Sequence, residues 1–410
     1  MSWVPGAEDE SGFGVAHLPY GVVRVGGQPR PAVRIGDRAL DLAAAESAGL
    51  VEAGGAFRGG TSLDRFLAAG PAVWQATRER LTELLTDPGA EPRVQPMLHP
   101  LGDPVLPFTV ADYVDFYSSE QHARNVGQIF RPGRPPLLPN WKHLPVGYHG
   151  RAGTVVVSGT PVVRPCGQRR PGGSETPVYG PSTRLDIEAE VGFVVGVPSR
   201  PGTPVGVDRF AEHVFGVVLV NDWSARDLQA WEYQPLGPFL GKSFATSVGA
   251  WITPLAALAG AWRPLPAQDP PVLEYLREPE HRGLDLALTV HWNGTQVSAP
   301  PFAGMYWTPA QQLAHLTGNG AALRTGDLYA SGTVSGAQRG QVGSFLELTW
   351  GGAEPVRLAD GTERTFLLDG DSVTIGATAP AVGGGRLTLA EVSGTIRPAS
   401  GTAAVPASGC

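Results

Sequence analysis

Short apolar runs separated by turn residues dominate the sequence, and this pattern predicts a mainly β fold. The runs predict strands at residues 21–25, 32–35, 152–163, 185–197, 214–220, 285–292, 345–350, 372–375 and 387–392. The run at 214–220 is continuously apolar, which indicates a strand buried on both faces. Residues 62–85 predict a helical segment instead, because Trp74, Thr77, Leu81 and Leu84 recur at helical spacing.

A proline-rich stretch at residues 87–107 divides the chain into two unequal parts. We therefore predict an N-terminal domain at residues 1–106 and a larger C-terminal domain at residues 107–400. The last residues, 401–410, are small and polar and predict a flexible tail. The large part is predicted to be β-rich with few helices, and the small part is predicted to be a β-barrel-like companion.

Composition narrows the class of protein. The chain has 410 residues, 42% of them hydrophobic and only 17% charged, which is typical of a compact enzyme. Its net charge of −7 argues against nucleic acid or an anionic membrane surface as a partner. The sequence has no apolar run long enough for a membrane span and no apolar N-terminal stretch typical of a secretory signal, so we expect a cytoplasmic protein. Cys166 and Cys410 are too few for a thiolate metal site.

Carboxylates recur in and after the predicted strands. In the run 185–191, side-chain alternation places Asp186, Glu188 and Glu190 on one face. A solvated outer face is the alternative reading of such a pattern. Asp222 directly follows the apolar run, where an acid is placed either for a functional site or to cap a turn.

The residues after Asp222 carry further polar groups. A helix at 223–233 would place Arg226, Gln229 and Tyr233 on one face. Lys242 follows in an apolar loop. It and Lys142 are the only lysines among 31 basic residues, which suggests that a compact ammonium group is needed at Lys242, although chance in an arginine-biased chain remains an alternative.

A possible acid–base pair lies in two distant segments. Ser119 is a plausible N-cap, which would place His122 in the first turn of a helix, where the helix dipole favours neutral imidazole. Glu347 lies in a predicted strand among apolar residues, where burial is costly without a partner such as His122. A purely structural histidine is the alternative. Several carboxylates without thiolates favour Mg²⁺ or Ca²⁺ over zinc.

These motifs resemble the fumarylacetoacetase family over essentially the whole chain. The resemblance is carried by stretches that include DFYSSEQHARNVGQIFR, RLDIEAEVGF, VNDWSARDLQAWEYQPLGPFLGKSF and LLDGDSVTI. It implies a small N-terminal SH3-like β-barrel, a large mixed β-roll domain and a homodimer.

The resemblance also implies a role for each matched residue. The metal carboxylates match Asp115, Glu188, Glu190 and Asp222, and a second cation would lie near Asp222, Lys242 and Thr246. The general base matches His122, the acid that orients it matches Glu347, and the oxyanion donors match Arg226, Gln229 and Lys242. The substrate contacts match Tyr117, Arg131, Tyr148, Gln229, Tyr233 and Thr333.

The implied reaction is the metal-dependent hydrolysis of a carbon–carbon bond in the small diketo acid 4-fumarylacetoacetate, the last step of tyrosine and phenylalanine breakdown, with Mg²⁺ or Ca²⁺ as cofactor. Two alternatives remain. A relative of the same fold could decarboxylate, isomerise or hydrate another keto acid, and a non-catalytic binding protein would be expected to lack part of the matched set.

Overall fold

The computed structural model describes residues 2–7, 12–172 and 174–400, so the predicted tail at 401–410 and Cys410 lie outside the described residues. The strands are, in chain order, β1 Tyr20–Val25, β2 Gln28–Ile35, β3 Arg38–Asp41, β4 Leu98–Pro100, β5 Pro104–Val105, β6 Tyr113–Phe116, β7 Gly147–His149, β8 Val155–Val157, β9 Val162–Val163, β10 Cys166–Arg169, β11 Val178–Pro181, β12 Leu185–Asp186, β13 Ala189–Val195, β14 Val214–Asp222, β15 Ser224–Ala225, β16 Thr246–Val248, β17 Trp251–Pro254, β18 Trp262–Pro264, β19 Arg282–Leu284, β20 Ala287–Trp292, β21 Thr295–Ser298, β22 Leu328–Ala330, β23 Val356–Arg357, β24 Glu363–Arg364, β25 Ser372–Pro380 and β26 Arg386–Arg397.

Helices are fewer and mostly short, as the pattern predicts. They are α1 Leu42–Ser47, α2 Asp64–Ala68, α3 Pro71–Thr86, α4 Glu91–Val94, α5 Glu120–Phe130, α6 Phe210–His213, α7 Arg226–Glu232, α8 Pro309–Thr317 and α9 Phe345–Leu348. Single 3₁₀ turns connect several elements, at Pro88–Ala90, Gln95–Met97, Ala152–Thr154, Val207–Arg209, Leu255–Ala261, Glu274–Leu276, Phe302–Gly304 and Arg339–Gln341. None of the helices in the described part of the chain has the length and apolar character to cross a membrane.

One large mixed sheet runs through both parts of the chain. Its strand order is β4-β3-β2-β1-β17-β14-β13-β22-β6-β7, so the antiparallel pair β1–β17 joins the N-terminal strands to the catalytic ones. A second sheet has the order β21-β20-β25-β26-β9. The structure is therefore mainly β with mixed sheets, as predicted, while the closed N-terminal barrel and the domain boundary at residue 106 stay predictions.

Strands β13 and β14 lie at the centre of this sheet and are buried on both faces. Val217 and Leu219 of β14 pack into the core of the catalytic part. Val218 and Val220, on the opposite face, pack into the core shared with the N-terminal segment. The prediction from the continuous apolar run is therefore confirmed, and the end of β14 is held from both sides.

Besides the segment at 345–350, which lies at the candidate active site, three predicted elements differ from the structure. The helical segment at 62–85 is two helices, because Gly70 adopts a left-handed φ of 87° and Pro71 starts a new helix. The strand predicted at 152–163 is a 3₁₀ turn followed by β8 and β9. The strand predicted at 185–197 is interrupted after Asp186, whose carboxylate accepts a hydrogen bond from the Ile187 backbone nitrogen at 2.7 Å.

His17 links the N-terminal segment to the catalytic sheet. The buried imidazole contacts the Gly12 carbonyl at 2.9 Å and the Thr253 hydroxyl of β17 at 2.8 Å. Burial, opposed by the Gly12 hydrogen bond, lowers the pKa of His17 from 6.5 to about 3. The folded state disfavours the proton that His17 accepts in the unfolded chain. The contribution of neutral His17 to stability is therefore fully present above pH 6.5 and is lost as the pH falls toward 3.

We therefore predict that His17 contributes to acid sensitivity. Between pH 8 and pH 5 its proton linkage should lower the free energy of unfolding by about 2 kcal/mol, at 1.36 kcal/mol per pH unit. The measurement is denaturant unfolding at both pH values for the wild type, His17→Gln and the exposed control His143→Gln. The His17 variant should lose less stability on acidification than the other two. An equal loss in all three proteins would contradict this role.

Candidate active site

Four carboxylates from different segments meet beside the end of β14. Asp115 lies on β6, Glu188 just before β13, Glu190 on β13 and Asp222 at the end of β14. Pairing of Ala189 with Asn221 places the last three side by side. Each acid offers an oxygen, and these oxygens lie within 4.8 Å of one another. All four side chains are buried, so the solvated-face reading of the Glu-x-Glu pattern is wrong.

Two of the four acids carry buried oxygens that have no hydrogen-bond partner in the described part of the chain. Both carboxylate oxygens of Glu190 and Oδ1 of Asp115 are buried without a donor from the described residues. Burial, and then the neighbouring carboxylates, raise the pKa of Asp115 and Glu190 well above the usual range. Such a cluster is costly unless protons or a cation neutralise it.

The other two acids are paired with cations and hydroxyl groups. The Lys242 ammonium donates to Oε2 of Glu188 at 2.6 Å and to Oδ2 of Asp222 at 2.7 Å. Asp222 also accepts from the Thr246 hydroxyl at 2.9 Å and from the Tyr148 hydroxyl at 3.0 Å. Burial alone would lower the pKa of Lys242, but Asp222 and Glu188 raise it above its usual value. Lys242 is therefore a buried, charged group that joins two acids.

The loop that carries Lys242 packs closely against α7. A Cβ on Gly241 would come within 2.8 Å of the Gln229 backbone nitrogen, so only glycine fits without a shift. The Gly241 carbonyl also accepts from the Ala225 backbone nitrogen at 2.8 Å. The lysine loop and the first turn of α7 are thus fixed relative to each other.

Arg226, at the start of α7, reaches the acids from the opposite side to Lys242. Its Nε donates to Asp186 at 2.8 Å, and its Nη1 lies 2.8 Å from Glu188 and donates to the side-chain oxygen Oε1 of Gln229 at 3.0 Å. Its Nη2 is buried and donates to none of the described residues. Arg226 therefore keeps one donor for a further acceptor.

His122 and Glu347 form a buried pair. The Nδ1 atom of His122 lies 2.7 Å from Oε2 of Glu347, and Ser119 caps α5 by accepting from the His122 backbone nitrogen, as predicted. Glu347 also accepts hydrogen bonds from Asn125 at 2.9 Å, Ser335 at 3.0 Å and Ser344 at 2.7 Å. Burial opposes ionisation of Glu347, but His122 and these donors outweigh it and lower its pKa.

The segment around Glu347 is a helical turn, α9, so the strand predicted at 345–350 is wrong. Its backbone donors are satisfied by side chains from outside the turn. Asp186 accepts from the backbone nitrogens of Phe345 at 2.7 Å and Leu346 at 3.0 Å, and Ser344 accepts from that of Glu347 at 3.3 Å. With these bonds made, the segment has no need of a neighbouring strand.

The sequence does not predict the structural role of Asp186. It is fully buried, and its carboxylate joins Arg226 to the turn that carries Glu347. The sequence shows it only as one polar position of an alternating run. The further donors to Glu347 were also missed: Asn125 lies 222 residues away in sequence, while Ser335 and Ser344 are near in sequence but show no pattern that marks them as donors.

The remaining predicted substrate residues lie around this centre at different depths. The Tyr117 ring packs edge-on against His122 with 5.3 Å between ring centres, and burial raises the pKa of Tyr117. The Thr333 hydroxyl is buried without a partner from the described residues. Arg131 caps α5, and one of its nitrogens donates to the Pro136 carbonyl at 3.1 Å. Tyr233 is half-buried at the end of α7, where it stacks on Phe130 at 6.3 Å.

The sequence matches the family described as Fumarylacetoacetate (FAA) hydrolase C-terminal over residues 112–390, and the one described as Fumarylacetoacetase N-terminal over residues 16–103. It is 46% identical to fumarylacetoacetase of Homo sapiens, over 97% of this chain and 99% of the relative. It is 43% identical to fumarylacetoacetase of Arabidopsis thaliana, over 89% of this chain and 91% of the relative. The chain belongs to the fumarylacetoacetase family.

Solved structures agree with this at the level of the fold. A fumarylacetoacetate hydrolase from Exiguobacterium antarcticum aligns with a TM-score of 0.53 at 16% identity, over 93% of this chain and 99% of the other. A maleylpyruvate hydrolase from Sphingobium aligns with a TM-score of 0.50 at 15% identity, over 93% of this chain and 100% of the other. Membership of the fumarylacetoacetase family, shown by the full-length sequence matches, makes the chain a hydrolase.

The same substitution at the two lysines, Lys242 and Lys142, should have very different effects on kcat. Lys242→Arg should lower kcat about 100-fold or more, because a planar guanidinium cannot replace a buried ammonium that donates to both Glu188 and Asp222. Lys142→Arg should change kcat less than about twofold, because Lys142 is partly exposed and pairs with Glu120 at 3.3 Å. Steady-state kinetics on both variants is the measurement. Similar losses in the two would contradict the special requirement for lysine at 242.

Proposed function

We propose that this chain hydrolyses 4-fumarylacetoacetate to fumarate and acetoacetate with a divalent cation bound by its four buried acids. The substrate class is supported by the sequence identity of about 45% to fumarylacetoacetases over nearly the full length. The observation that carries the mechanism is that one buried site combines the acid cluster, the His122–Glu347 pair and the cations Arg226 and Lys242.

The residues present fit a bound cation. The unpartnered oxygens of Glu190 and Asp115 need a neutralising charge, and an all-oxygen donor set is the kind that Mg²⁺ and Ca²⁺ prefer. Asp115, Glu188, Glu190 and Asp222 would hold the first ion, and Asp222, Lys242 and Thr246 would lie near a second. When bound, such an ion supplies a Lewis acid that polarises the keto oxygens of the substrate.

His122 is proposed to activate the water. Nδ1 of His122 donates to Glu347 in this proposal, which leaves Nε2 as the ring nitrogen that takes a proton. Water adds to the keto carbon of the fumaroyl group, the one joined to the carbon–carbon double bond, while one proton of the water moves to Nε2 of His122. The carbon–carbon bond then breaks, and the departing acetoacetate carbon regains a proton from the imidazolium.

The negative charge that develops on the attacked oxygen requires fixed donors. Nη2 of Arg226 is buried and unused, and Gln229 and Lys242 lie beside it through their contacts with Arg226 and Glu188. We assign these three residues as the oxyanion donors. Arg131, Tyr117, Tyr148, Tyr233 and Thr333 are assigned to substrate binding.

The same family resemblance supports a homodimer in the cytoplasm that acts in tyrosine and phenylalanine breakdown. Light scattering on the purified protein tests the dimer. The activity is tested by incubating the protein with fumarylacetoacetate and Mg²⁺ and following the loss of diketone absorbance. No turnover above the blank, or turnover only of another keto acid, would favour the alternative of a decarboxylase or isomerase with the same fold.

The metal is tested with Glu190→Gln. Because Glu190 has no hydrogen-bond partner among the described residues, this variant should be at least as stable as the wild type without metal. It should, however, lose the metal-dependent gain in stability, which for the wild type is about 2.7 kcal/mol at an ion concentration 100-fold above Kd. Excess chelator should abolish wild-type activity, and Mg²⁺ or Ca²⁺ should restore it.

The measurement is thermal unfolding with and without each ion, in parallel with activity. Exposed Glu52→Gln serves as a charge-matched control and should respond to the ions as the wild type does. Full activity in chelator, or an unchanged metal response in Glu190→Gln, would exclude the proposed site.

The His122–Glu347 pair is tested by a double-mutant cycle. Glu347→Gln removes the charge but keeps the shape, so kcat should fall about 100-fold or more while KM moves little. His122→Ala should lose a similar factor. The double variant should lose little more than either single one, because the two residues act as a unit. Losses that multiply at saturating metal would show that the residues act separately and would remove the basis for the water-activation step.

A further inference from the structure

A cavity of about 360 Å³ opens beside Arg226, on the side away from Lys242. Its lining includes Ile129, Phe130, Arg184, Arg226, Leu346 and Trp350. The proposed function places the attacked carbonyl beside Arg226, which lies at one end of the cavity. From that carbonyl, the cavity would accommodate the acyl half of the substrate.

The apolar walls of the cavity belong to the two elements that carry the acid–base pair. Ile129 and Phe130 end α5, which holds His122 in its first turn, and Leu346 precedes Glu347 in α9. Trp350 follows α9 with a left-handed φ of 47°, which is a costly conformation for a bulky residue. Backbone bonds from Trp350 to Glu347 at 3.1 Å and from Gly351 to Leu346 at 2.7 Å hold this turn in place.

Arg184 supplies the cavity with a second cation. Its side chain is exposed and lies over the Phe366 ring at 5.4 Å, and no acidic group among the described residues pairs with it. Its backbone carbonyl accepts from the Arg226 backbone nitrogen at 2.9 Å, so the two arginines are fixed side by side. The cavity thus has a mixed lining, in which two arginines, one buried and one exposed, lie among apolar side chains.

We propose that this cavity is the subsite for the acyl half of the substrate, and that Arg184 binds the terminal carboxylate of that half. The assignment rests on the proposed function. An unsaturated chain that ends in a carboxylate matches a lining in which apolar side chains lie between Arg226 and an exposed guanidinium. The acid cluster and Arg131 remain for the diketone and the other carboxylate. Arg184 is then a specificity-determining residue that selects dicarboxylic over neutral acyl groups.

The test compares two substrates that differ only in the acyl half. Fumarylacetoacetate carries the second carboxylate, and 3,5-dioxohexanoate has an acetyl group in place of the fumaroyl group. For Arg184→Gln, kcat/KM should fall about tenfold with fumarylacetoacetate, the lower end of the range for a hydrogen bond to a charged group, and less than about twofold with 3,5-dioxohexanoate. Arg184→Lys should retain part of the wild-type preference for fumarylacetoacetate over 3,5-dioxohexanoate. Arg93→Gln removes the same charge from the exposed surface of α4 and should change neither value.

Binding of the product separates this inference from the proposed function. Fumarate should bind about tenfold more weakly to Arg184→Gln than to the wild type in calorimetry with Mg²⁺ present, whereas acetoacetate should bind both equally. Absence of fumarylacetoacetate turnover, with fumarate binding that still depends on Arg184, would overturn the proposed function and support the subsite. Normal turnover, with equal effects or no effect on both substrates, would overturn the subsite and leave the function standing.

Discussion

Glu188 is a buried carboxylate held between two cations, with Lys242 2.6 Å from one oxygen and Arg226 2.8 Å from the other. Burial disfavours its charge, yet these two partners lower its pKa below the usual range. Removing either cation would leave an uncompensated charge in the core, which is among the most costly changes in a folded protein. The position of Glu188 therefore fixes both the lysine loop and the start of α7, and through them the proposed oxyanion donors Arg226 and Lys242.

The backbone that holds Glu188 is unusually well supported. Strands β13 and β14 are buried on both faces. One face of the two strands packs on the core of the C-terminal part, and the opposite face packs on residues of the N-terminal segment. The N-terminal strands also join the same sheet through β1 and β17. Because the acids are placed by strand register rather than by flexible loops, the cluster keeps its geometry despite repulsion between like charges. This gives the N-terminal part a physical role in the site, although it supplies none of the proposed catalytic residues.

The sequence predicts those features that depend on local pattern. The apolar run before Asn221 predicts a doubly buried strand, Ser119 predicts the start of α5, and the spacing of Trp74 and Leu81 predicts a helix with a buried face. It fails where a distant side chain satisfies the backbone. The turn at Glu347 reads as a strand because its apolar residues are visible, whereas the Asp186 carboxylate that accepts its backbone hydrogens lies about 160 residues earlier.

The roles of the site residues were accessible only through the family resemblance, since each of them has an ordinary structural alternative when it is viewed alone. Geometry weakens some of those alternatives. A solvated face does not apply to Glu188 and Glu190, which are buried, and a surface lysine does not apply to Lys242, which contacts two acids.

Asp186 shows how the two halves of the proposed chemistry are kept in register. One carboxylate oxygen accepts from Arg226, a proposed oxyanion donor, and from the backbone of Leu346, which is adjacent to Glu347. The other accepts from Ile187 and Phe345. Glu347 in turn orients His122. The proposed base and the proposed oxyanion donor are therefore connected through one buried carboxylate. Because hydrogen bonds of this kind have narrow distance and angle ranges, a displacement of α9 would be transmitted to Arg226. The separation between base and oxyanion donor is consequently set by the fold before substrate binds, which is the condition for electrostatic stabilisation without reorganisation during the reaction.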